Sequence, residues 1–207
     1  GVGEDTITMG DLVTKGKVRG DDANDDINFA AATDSFVNGN KGDDDIDFTG
    51  EVKGSTLYGG VGDDSITVAD LTKDTKAFGE DGDDNLGFEE GLRVTVDGAK
   101  GDDTISFSAL ANAVSVSGGV GVEDIDFAAT DSTTIKAGEG NDIVDFTGNH
   151  TDLVVNGNQG DDDLTFAAAT TVTGASILGG IGDDGINVGA AFELDESTVK
   201  GEDGEDT

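Results

Sequence analysis

Acidic residues recur at a nearly constant spacing along the whole chain. Each closes a glycine-rich segment, and the clearest copy of the surrounding motif reads Gly59-Gly60-Val61-Gly62-Asp63-Asp64-Ser65-Ile66-Thr67-Val68. Numbering this motif from its first glycine places the recurring acid at position 6. The acids at position 6 are Asp5, Asp25, Asp44, Asp64, Asp84, Asp103, Glu123, Asp142, Asp162, Asp184 and Asp206. Successive members lie 19 to 22 residues apart, which predicts a stack of similar units with the acids in one row.

A row of carboxylates in glycine-rich turns is suited to binding a hard cation. Glycines at positions 1, 2 and 4 are expected to adopt positive φ and to let main-chain carbonyl oxygens crowd inward. Stacked turns would bring successive carboxylates within about 5 Å, where they repel each other. Ca²⁺ accepts about six to eight carboxylate and carbonyl oxygens in flexible geometry, whereas Mg²⁺ demands a tighter octahedron. The chain has no cysteine and one histidine, so softer metals lack ligands.

The residues after each acid predict a β-strand. Positions 8 and 10 are apolar, whereas positions 7 and 9 are mostly polar and should face solvent. Position 8 is Ile7, Ile27, Ile46, Ile66, Leu86, Ile105, Ile125, Val144, Leu164 and Ile186, and position 10 is Met9, Phe29, Phe48, Val68, Phe88, Phe107, Phe127, Phe146, Phe166 and Val188. A second strand should end before each turn, at Val18, Val37, Leu57, Ala77, Val96, Val116, Ile135, Val155, Ile177 and Val199. The apolar columns of the two strands are expected to face each other across a thin core, with a ladder of phenylalanines at position 10.

The motif resembles the RTX family of calcium-binding β-roll repeats, whose nonapeptide is Gly-Gly-x-Gly-x-Asp-x-U-x. The segment from Gly59 to Thr67 matches every specified position, and the likeness covers all eleven turns. The resemblance implies that the first six motif residues form an ion-binding turn and the last three a strand. It also implies that each ion lies between stacked turns, held by the position-6 acids and by carbonyl oxygens of the turn. The expected fold is all-β, a parallel β-roll or β-solenoid of about ten coils of 19–22 residues, forming one domain over residues 1–207 that we interpret as a fragment of a longer chain.

The spacing departs from the family pattern in one respect. Typical family members repeat every nine residues and carry ion-binding turns on both edges, whereas here the opposite edge is expected to hold plain loops: Thr49-Gly50-Glu51-Val52, Ala69-Asp70-Leu71-Thr72 and Glu89-Glu90-Gly91-Leu92. We therefore expect one row of about ten Ca²⁺ ions, one per gap between turns. The copies beginning at Gly20 and Gly118 are the weakest, because Asp21 and Ala23 replace glycines and Glu123 replaces Asp.

Composition and motifs exclude several other functions. The formal charge of −35 would repel nucleic acid and anionic membranes and favours cations or basic proteins as partners. No apolar segment is long enough to insert in a membrane, and no nucleophile elbow, P-loop or EF-hand loop is present, so we expect no enzyme. The single histidine, His150, is expected to be a solvated loop residue. The outward residues at position 7 are too mixed for an ice-binding face.

The leading functional hypothesis is a calcium-dependent structural segment of an extracellular protein, such as a bacterial surface-layer or cell-surface protein. The RTX resemblance implies secretion and calcium as the cofactor. Expected partners are calcium, copies of the same chain or other cell-surface components. Two alternatives remain open, namely a calcium-folded repeat domain attached to a secreted enzyme or toxin, and an adhesin stalk. They use the same residues as the leading hypothesis, so the sequence does not separate them.

Overall fold

The computed structural model describes residues 1–168 and 170–207. All helix and strand assignments in these residues are β-strands, and none of the described segments is a helix that could cross a membrane. Ten strands in chain order form the path of a first sheet: β1 Thr6–Thr14, β3 Asp26–Thr33, β5 Asp45–Phe48, β8 Ser65–Lys73, β10 Asn85–Leu92, β12 Thr104–Asn112, β14 Asp124–Asp131, β16 Ile143–Phe146, β19 Asp163–Phe166 and β22 Gly185–Val188. Four short strands bring this sheet to 14: β6 Val52–Lys53, β17 His150–Thr151, β20 Thr171–Thr173 and β23 Glu193–Asp195.

The second sheet has ten strands, one from each coil. They are β2 Lys17–Asp22, β4 Phe36–Lys41, β7 Thr56–Val61, β9 Lys76–Asp81, β11 Thr95–Lys100, β13 Ser115–Val120, β15 Thr134–Glu139, β18 Val154–Gln159, β21 Ser176–Ile181 and β24 Thr198–Asp203. Pairing is parallel and joins equivalent positions of successive coils, so that Ile66 pairs with Leu86 and Leu86 with Ile105. The chain is therefore a parallel β-solenoid of about ten coils, as the sequence predicted.

The apolar columns meet inside the solenoid. Ile66, Leu86 and Ile105 are completely buried, because alternate residues of a strand point to the same side. The phenylalanines of position 10 form the predicted ladder, with ring centroids 5.0 Å apart between Phe88 and Phe107 and 5.2 Å apart between Phe107 and Phe127. Stacked rings add to the stabilisation that apolar burial provides.

The segment after position 10 differs from the prediction. Ala69–Thr72 and Glu89–Leu92 were expected to be loops, but they lie within β8 and β10. The pairing register of β10 with β12 shifts between Phe88 and Gly91, after which the chain resumes pairing and points a third column into the core. That column is Ala32, Val52, Thr72, Gly91, Ala111, Thr130, His150 and Val172. Because this column mixes small, polar and apolar residues, alternating apolar residues do not indicate the strand in the sequence.

His150 belongs to this inward column, so the expectation of a solvated residue was wrong. Its side chain is 1% exposed. The imidazole Nδ1 lies 3.0 Å from Oγ1 of Thr130, and the ring packs edge-on against Phe146 and Phe166. Burial lowers the pKa of His150 to about 4, because an apolar environment disfavours the charged imidazolium. The residue is therefore a neutral member of the core.

Candidate metal centre

The glycine-rich turns form one edge of the solenoid, and their glycines have different roles. Positions 2 and 4 adopt positive φ as predicted, for example 131° at Gly60 and 129° at Gly62. Position 1 does not, which corrects the expectation for that position. Glycine is needed there for space, because a Cβ added to Gly79 would collide with Oδ2 of Asp84 and lie 2.7 Å from the carbonyl oxygen of Gly98. The turn thus keeps a small cradle open between a carboxylate oxygen and a main-chain carbonyl oxygen of the next coil.

The same cradle recurs along the row. Besides the turn of Asp84, a Cβ at position 1 would meet both an acid Oδ2 and the carbonyl oxygen of the next coil at four further turns: Gly20, Gly98, Gly157 and Gly179. Ala137 differs from the other position-1 residues, because there the chain itself carries a Cβ. The sequence pattern treats Ala137 as an ordinary copy, so this filled cradle was missed.

The position-6 acids point into the turns and are buried. Asp25, Asp44, Asp64, Asp84, Asp103, Glu123, Asp142, Asp162 and Asp184 are each at most 3% exposed. The two terminal members differ, because Asp5 is exposed and Asp206 is half-buried. The structure thus brings the predicted residues into one row, with nine of its eleven members removed from water.

A hydrogen-bond ladder joins successive acids. The main-chain N–H of Asp44 donates to Oδ1 of Asp64 at 2.7 Å, and that of Asp64 donates to Oδ1 of Asp84 at 2.8 Å. Among the described residues, nine of the ten steps from Asp5 to Asp206 carry this bond. The step from Asp103 to Glu123 lacks it. The extra methylene of Glu123 therefore breaks the ladder at the turn that the sequence singled out.

The second carboxylate oxygen of each acid has no protein partner. Within the described residues, the buried atoms without a hydrogen bond include Oδ2 of Asp25, Asp44, Asp64, Asp84, Asp103, Asp142, Asp162 and Asp184, and both carboxylate oxygens of Glu123. Leaving a buried charged oxygen unpaired is costly. Such a group is stable only if a proton or a cation neutralises it.

Burial also changes the acidity of the row. It raises the pKa of Asp64 to about 7 and that of Asp84 to about 8, and the neighbouring carboxylates of the row add to the shift. Burial raises the pKa of Glu123 to about 9, and the neighbouring carboxylate of Asp142 adds to the rise. Near neutral pH, Asp64, Asp84 and Glu123 therefore take up a positive charge readily, whether from protons or from a metal ion.

The donor set of each cradle, a carboxylate oxygen together with a main-chain carbonyl oxygen, is of the kind that a hard cation accepts. In residues 1–168 and 170–207, no three or more His, Cys, Asp or Glu side chains gather as a metal-binding group. Each cradle instead brings together one carboxylate oxygen and a carbonyl oxygen of the neighbouring coil. Oxygen donors of this mixed kind are those that Ca²⁺ accepts, so the residues at Gly79, Asp84 and Gly98 fit the group that the sequence resemblance implies.

Position 5 forms a second row that the sequence analysis missed. Oδ1 of Asp63 accepts the main-chain N–H of Asp83 at 2.9 Å, and Oδ1 of Asp83 accepts that of Asp102 at 2.8 Å. These side chains are exposed. Each accepts an amide of the next coil, whereas each acid of the inner row accepts an amide of the preceding coil. The recurring Asp-Asp pair at positions 5 and 6 was the signal in the sequence. The turn edge is thus held by two oppositely directed ladders of side-chain acceptors.

The fold and the turn edge define the class of this protein as a parallel β-solenoid with a ladder of buried acids. The chain matches no family model, and neither the curated proteins nor the solved structures include a match. The likeness to the RTX repeats therefore depends on the motif itself.

Proposed function

We propose that this chain is a calcium-stabilised structural segment of an extracellular cell-surface protein, of the surface-layer kind. The observation that carries the proposal is the row of buried acids whose Oδ2 atoms have no protein partner and, in five turns, lie near the position-1 carbonyl oxygen of the next coil. Ca²⁺, when bound, would supply the positive charge that lets these carboxylates remain ionised and buried.

The chain's own residues prepare each site in two ways. The main-chain N–H of one position-6 residue fixes Oδ1 of the next acid, as Asp64 does for Asp84, and this bond orients Oδ2 toward the cradle. Glycine at position 1, such as Gly79, leaves the cradle open. Carboxylates positioned before a ligand arrives lose less entropy on binding, so we expect one row of about ten ions with its weakest gap between Glu123 and Asp142.

A structural role is favoured over a catalytic one because the acids already hold successive coils together. The extracellular location in this proposal comes from the RTX resemblance, and calcium-binding modules outside the cell have dissociation constants of about 10⁻⁴ to 10⁻³ M. Sites of that affinity would be filled after export and would couple ion binding to folding.

Circular dichroism during a calcium titration tests the proposal. The metal-free chain at pH 7.5 should have lost most of its β-sheet signal and should regain it as calcium reaches millimolar concentration. Magnesium at the same concentration should restore much less, because it demands octahedral geometry and retains its waters. Full β-sheet content in the metal-free chain at this pH would contradict the proposal.

A matched pair of substitutions locates the ions. Asp84→Asn removes the inner charge but keeps an oxygen that can accept the Asp64 amide, and its NH₂ group can donate to the carbonyl of Gly98. We expect this variant to lose about one or two bound ions and to retain more β-structure without calcium. Asp83→Asn, which removes the neighbouring exposed charge, should bind the full number. Equal losses in the two variants, measured by isothermal titration calorimetry, would place the ions outside the inner row.

A further inference from the structure

One face of the solenoid is basic although the chain as a whole is strongly acidic. The first and third residues of each strand in the ten-stranded sheet point outward, and we call this surface the basic face. It consists of Lys17, Arg19, Phe36, Asn38, Thr56, Tyr58, Lys76, Phe78, Thr95, Asp97, Ser115, Ser117, Thr134, Lys136, Val154, Asn156, Ser176, Leu178, Thr198 and Lys200. Five cations and one carboxylate give these two rows a net charge of +4, in a chain whose formal charge is −35. The exposed acids Asp21, Glu80 and Glu202, each the fifth residue of its strand, border the rows on the side of the glycine-rich turns.

The corresponding surface of the 14-stranded sheet has the opposite charge. The residues at positions 7 and 9 form this acidic face: Thr6, Thr8, Asp26, Asn28, Asp45, Asp47, Ser65, Thr67, Asn85, Gly87, Thr104, Ser106, Asp124, Asp126, Ile143, Asp145, Asp163, Thr165, Gly185 and Asn187. Seven of them are aspartates and none is basic. Burial raises the pKa of Asp126, and the negative charges of the neighbouring Asp124 and Asp145 raise it further.

Three aromatic rings form a ridge on the basic face. Phe36, Tyr58 and Phe78 lie on the adjacent strands β4, β7 and β9, with ring centroids 5.5 and 4.9 Å apart. The guanidinium carbon of Arg19 lies 5.5 Å from the centroid of the Phe36 ring. All three rings remain half-exposed, and Lys76 lies on the same strand as Phe78. Aromatic residues and arginine are enriched at the centres of protein interfaces.

We propose that the basic face of one copy of this chain docks against the acidic face of a second copy. The two faces have opposite charge, and the strands of both are spaced about 4.8 Å apart, so the strands of one face can align with those of the other. The cations lie on four strands of the basic face and the aspartates on five strands of the acidic face, so such an alignment brings some of the opposite charges together. Each face is about 50 Å long and about 10 Å wide, or about 500 Å², which is smaller than the contribution of one partner to a standard interface. The inference goes beyond the proposed function and does not depend on where calcium binds.

The contact is between unlike surfaces, so it can repeat. A copy that uses its basic face still presents a free acidic face to a third copy, and heterologous contacts that do not close on themselves produce open arrays. A free anionic polymer could also meet the positive charge of Lys17, Arg19 and Lys76. A second copy is favoured because the acidic face supplies the matching charge together with the matching repeat.

Sedimentation and light scattering of the folded, calcium-loaded chain test the proposal. At about 20 mM salt the average mass should rise with protein concentration, and at about 500 mM salt it should return to that of the monomer, because salt screens charges on exposed surfaces. The triple variant Lys17→Glu, Arg19→Glu and Lys76→Glu should weaken association by about tenfold or more. The control Lys15→Glu, Lys53→Glu and Lys73→Glu makes the same charge change at the opposite edge and should associate as the unmodified chain does.

A mixing experiment identifies the two faces. The variant Asp126→Lys, Asp145→Lys and Asp163→Lys should also remain monomeric at low salt, while an equimolar mixture with the basic-face variant should associate, because each partner supplies one intact face. Circular dichroism of every variant checks that the fold is retained. The proposal is overturned if the unmodified chain stays monomeric at low salt, if the edge control abolishes association, if the mixture stays monomeric, or if the chain binds heparin as a monomer without self-association.

Discussion

The two oxygens of each position-6 carboxylate have separate roles. In Asp84, Oδ1 accepts a main-chain hydrogen bond from Asp64, whereas Oδ2 is buried without a protein partner. The first oxygen links coils and the second requires a positive charge. One residue type thus provides both the contact between coils and the dependence of that contact on a bound cation or proton.

The raised pKa values predict how stability depends on pH when no metal is present. The pKa of Asp64 rises from 3.8 to about 7 and that of Asp84 to about 8, so between these limits the folded chain binds more protons than the unfolded chain. Stability is then highest below about pH 4 and falls as pH rises toward 8. We expect the metal-free chain to unfold in urea at pH 5 and to need less urea at pH 6, until near pH 7.5 most of its β-sheet signal is lost without urea.

Calcium should remove or reverse this pH trend. The ion takes the place of the protons, so calcium binding at pH 7 should release protons into the buffer. Calorimetry in buffers of different ionisation enthalpy measures that release. A metal-free chain that becomes more stable from pH 5 to pH 8 would show that the row is ionised in the folded state without a cation.

The residues of the row could be predicted from sequence, but their hydrogen bonds could not. Periodic spacing predicts that Asp64 and Asp84 stack. The spacing does not determine which carboxylate oxygen accepts an amide, because that depends on how the side chain is oriented beside the position-1 residue of its turn. The same limit applies to Ala137, whose single methyl group fills the cradle, and to His150, whose polarity suggested solvent although its column points inward.

The phenylalanine ladder shows how one strand position stabilises the stack. Phe107 lies between Phe88 and Phe127 at centroid distances of 5.0 and 5.2 Å and is 1% exposed. A Cβ on Gly91 would lie 2.6 Å from the Phe107 ring, so the ring packs closely against the main chain of the neighbouring segment. Gly91 has no side chain that could fill a cavity left by removal of the ring. Ladder rings are therefore held on both sides by adjacent coils and beneath by the third column.

Phe107→Ala should lower the free energy of unfolding by about 3–5 kcal/mol, the usual cost of removing a buried aromatic ring. Ile143→Ala is the control, because Ile143 lies on the same sheet but is 44% exposed, and a change at such a position should cost about 0.5 kcal/mol or less. Urea unfolding in saturating calcium measures both. Similar losses in the two variants would mean that the ladder contributes no more than a surface position.

Strand prediction succeeded where the pattern alternates and failed where it does not. β5 and β16 were apparent from apolar residues at every second position, together with the polar residues between them. The third column includes Thr72, Gly91 and Thr130, which bury little apolar surface, and the bulge before it disrupts the period of two. Such a segment is held in place by hydrogen bonds to the strands of the preceding and following coils. The sequence of a single coil therefore does not predict that it is a strand.

At the scale of the whole molecule, each coil contacts mainly the coils before and after it. Stability in such a stack is approximately a sum over coils and their interfaces. The interfaces are not equal here. The inner ladder runs unbroken from Asp5 to Asp103 and again from Glu123 to Asp206, while the step between Asp103 and Glu123 lacks its hydrogen bond and the cradle at Ala137 is filled.

We therefore expect two halves to fold at different calcium concentrations. Hydrogen exchange followed by mass spectrometry during a calcium titration should show protection first in the coils between Asp25 and Asp103, where no position-1 residue carries a Cβ. Protection should come later in the coils after Glu123, which include the filled cradle at Ala137. The paired substitution Glu123→Asp and Ala137→Gly restores the acid length and the open cradle, so both halves should then gain protection together. A single step in the unmodified chain would mean that Glu123 links the coils as well as an aspartate does. Two steps that persist in the double variant would place the boundary elsewhere along the stack.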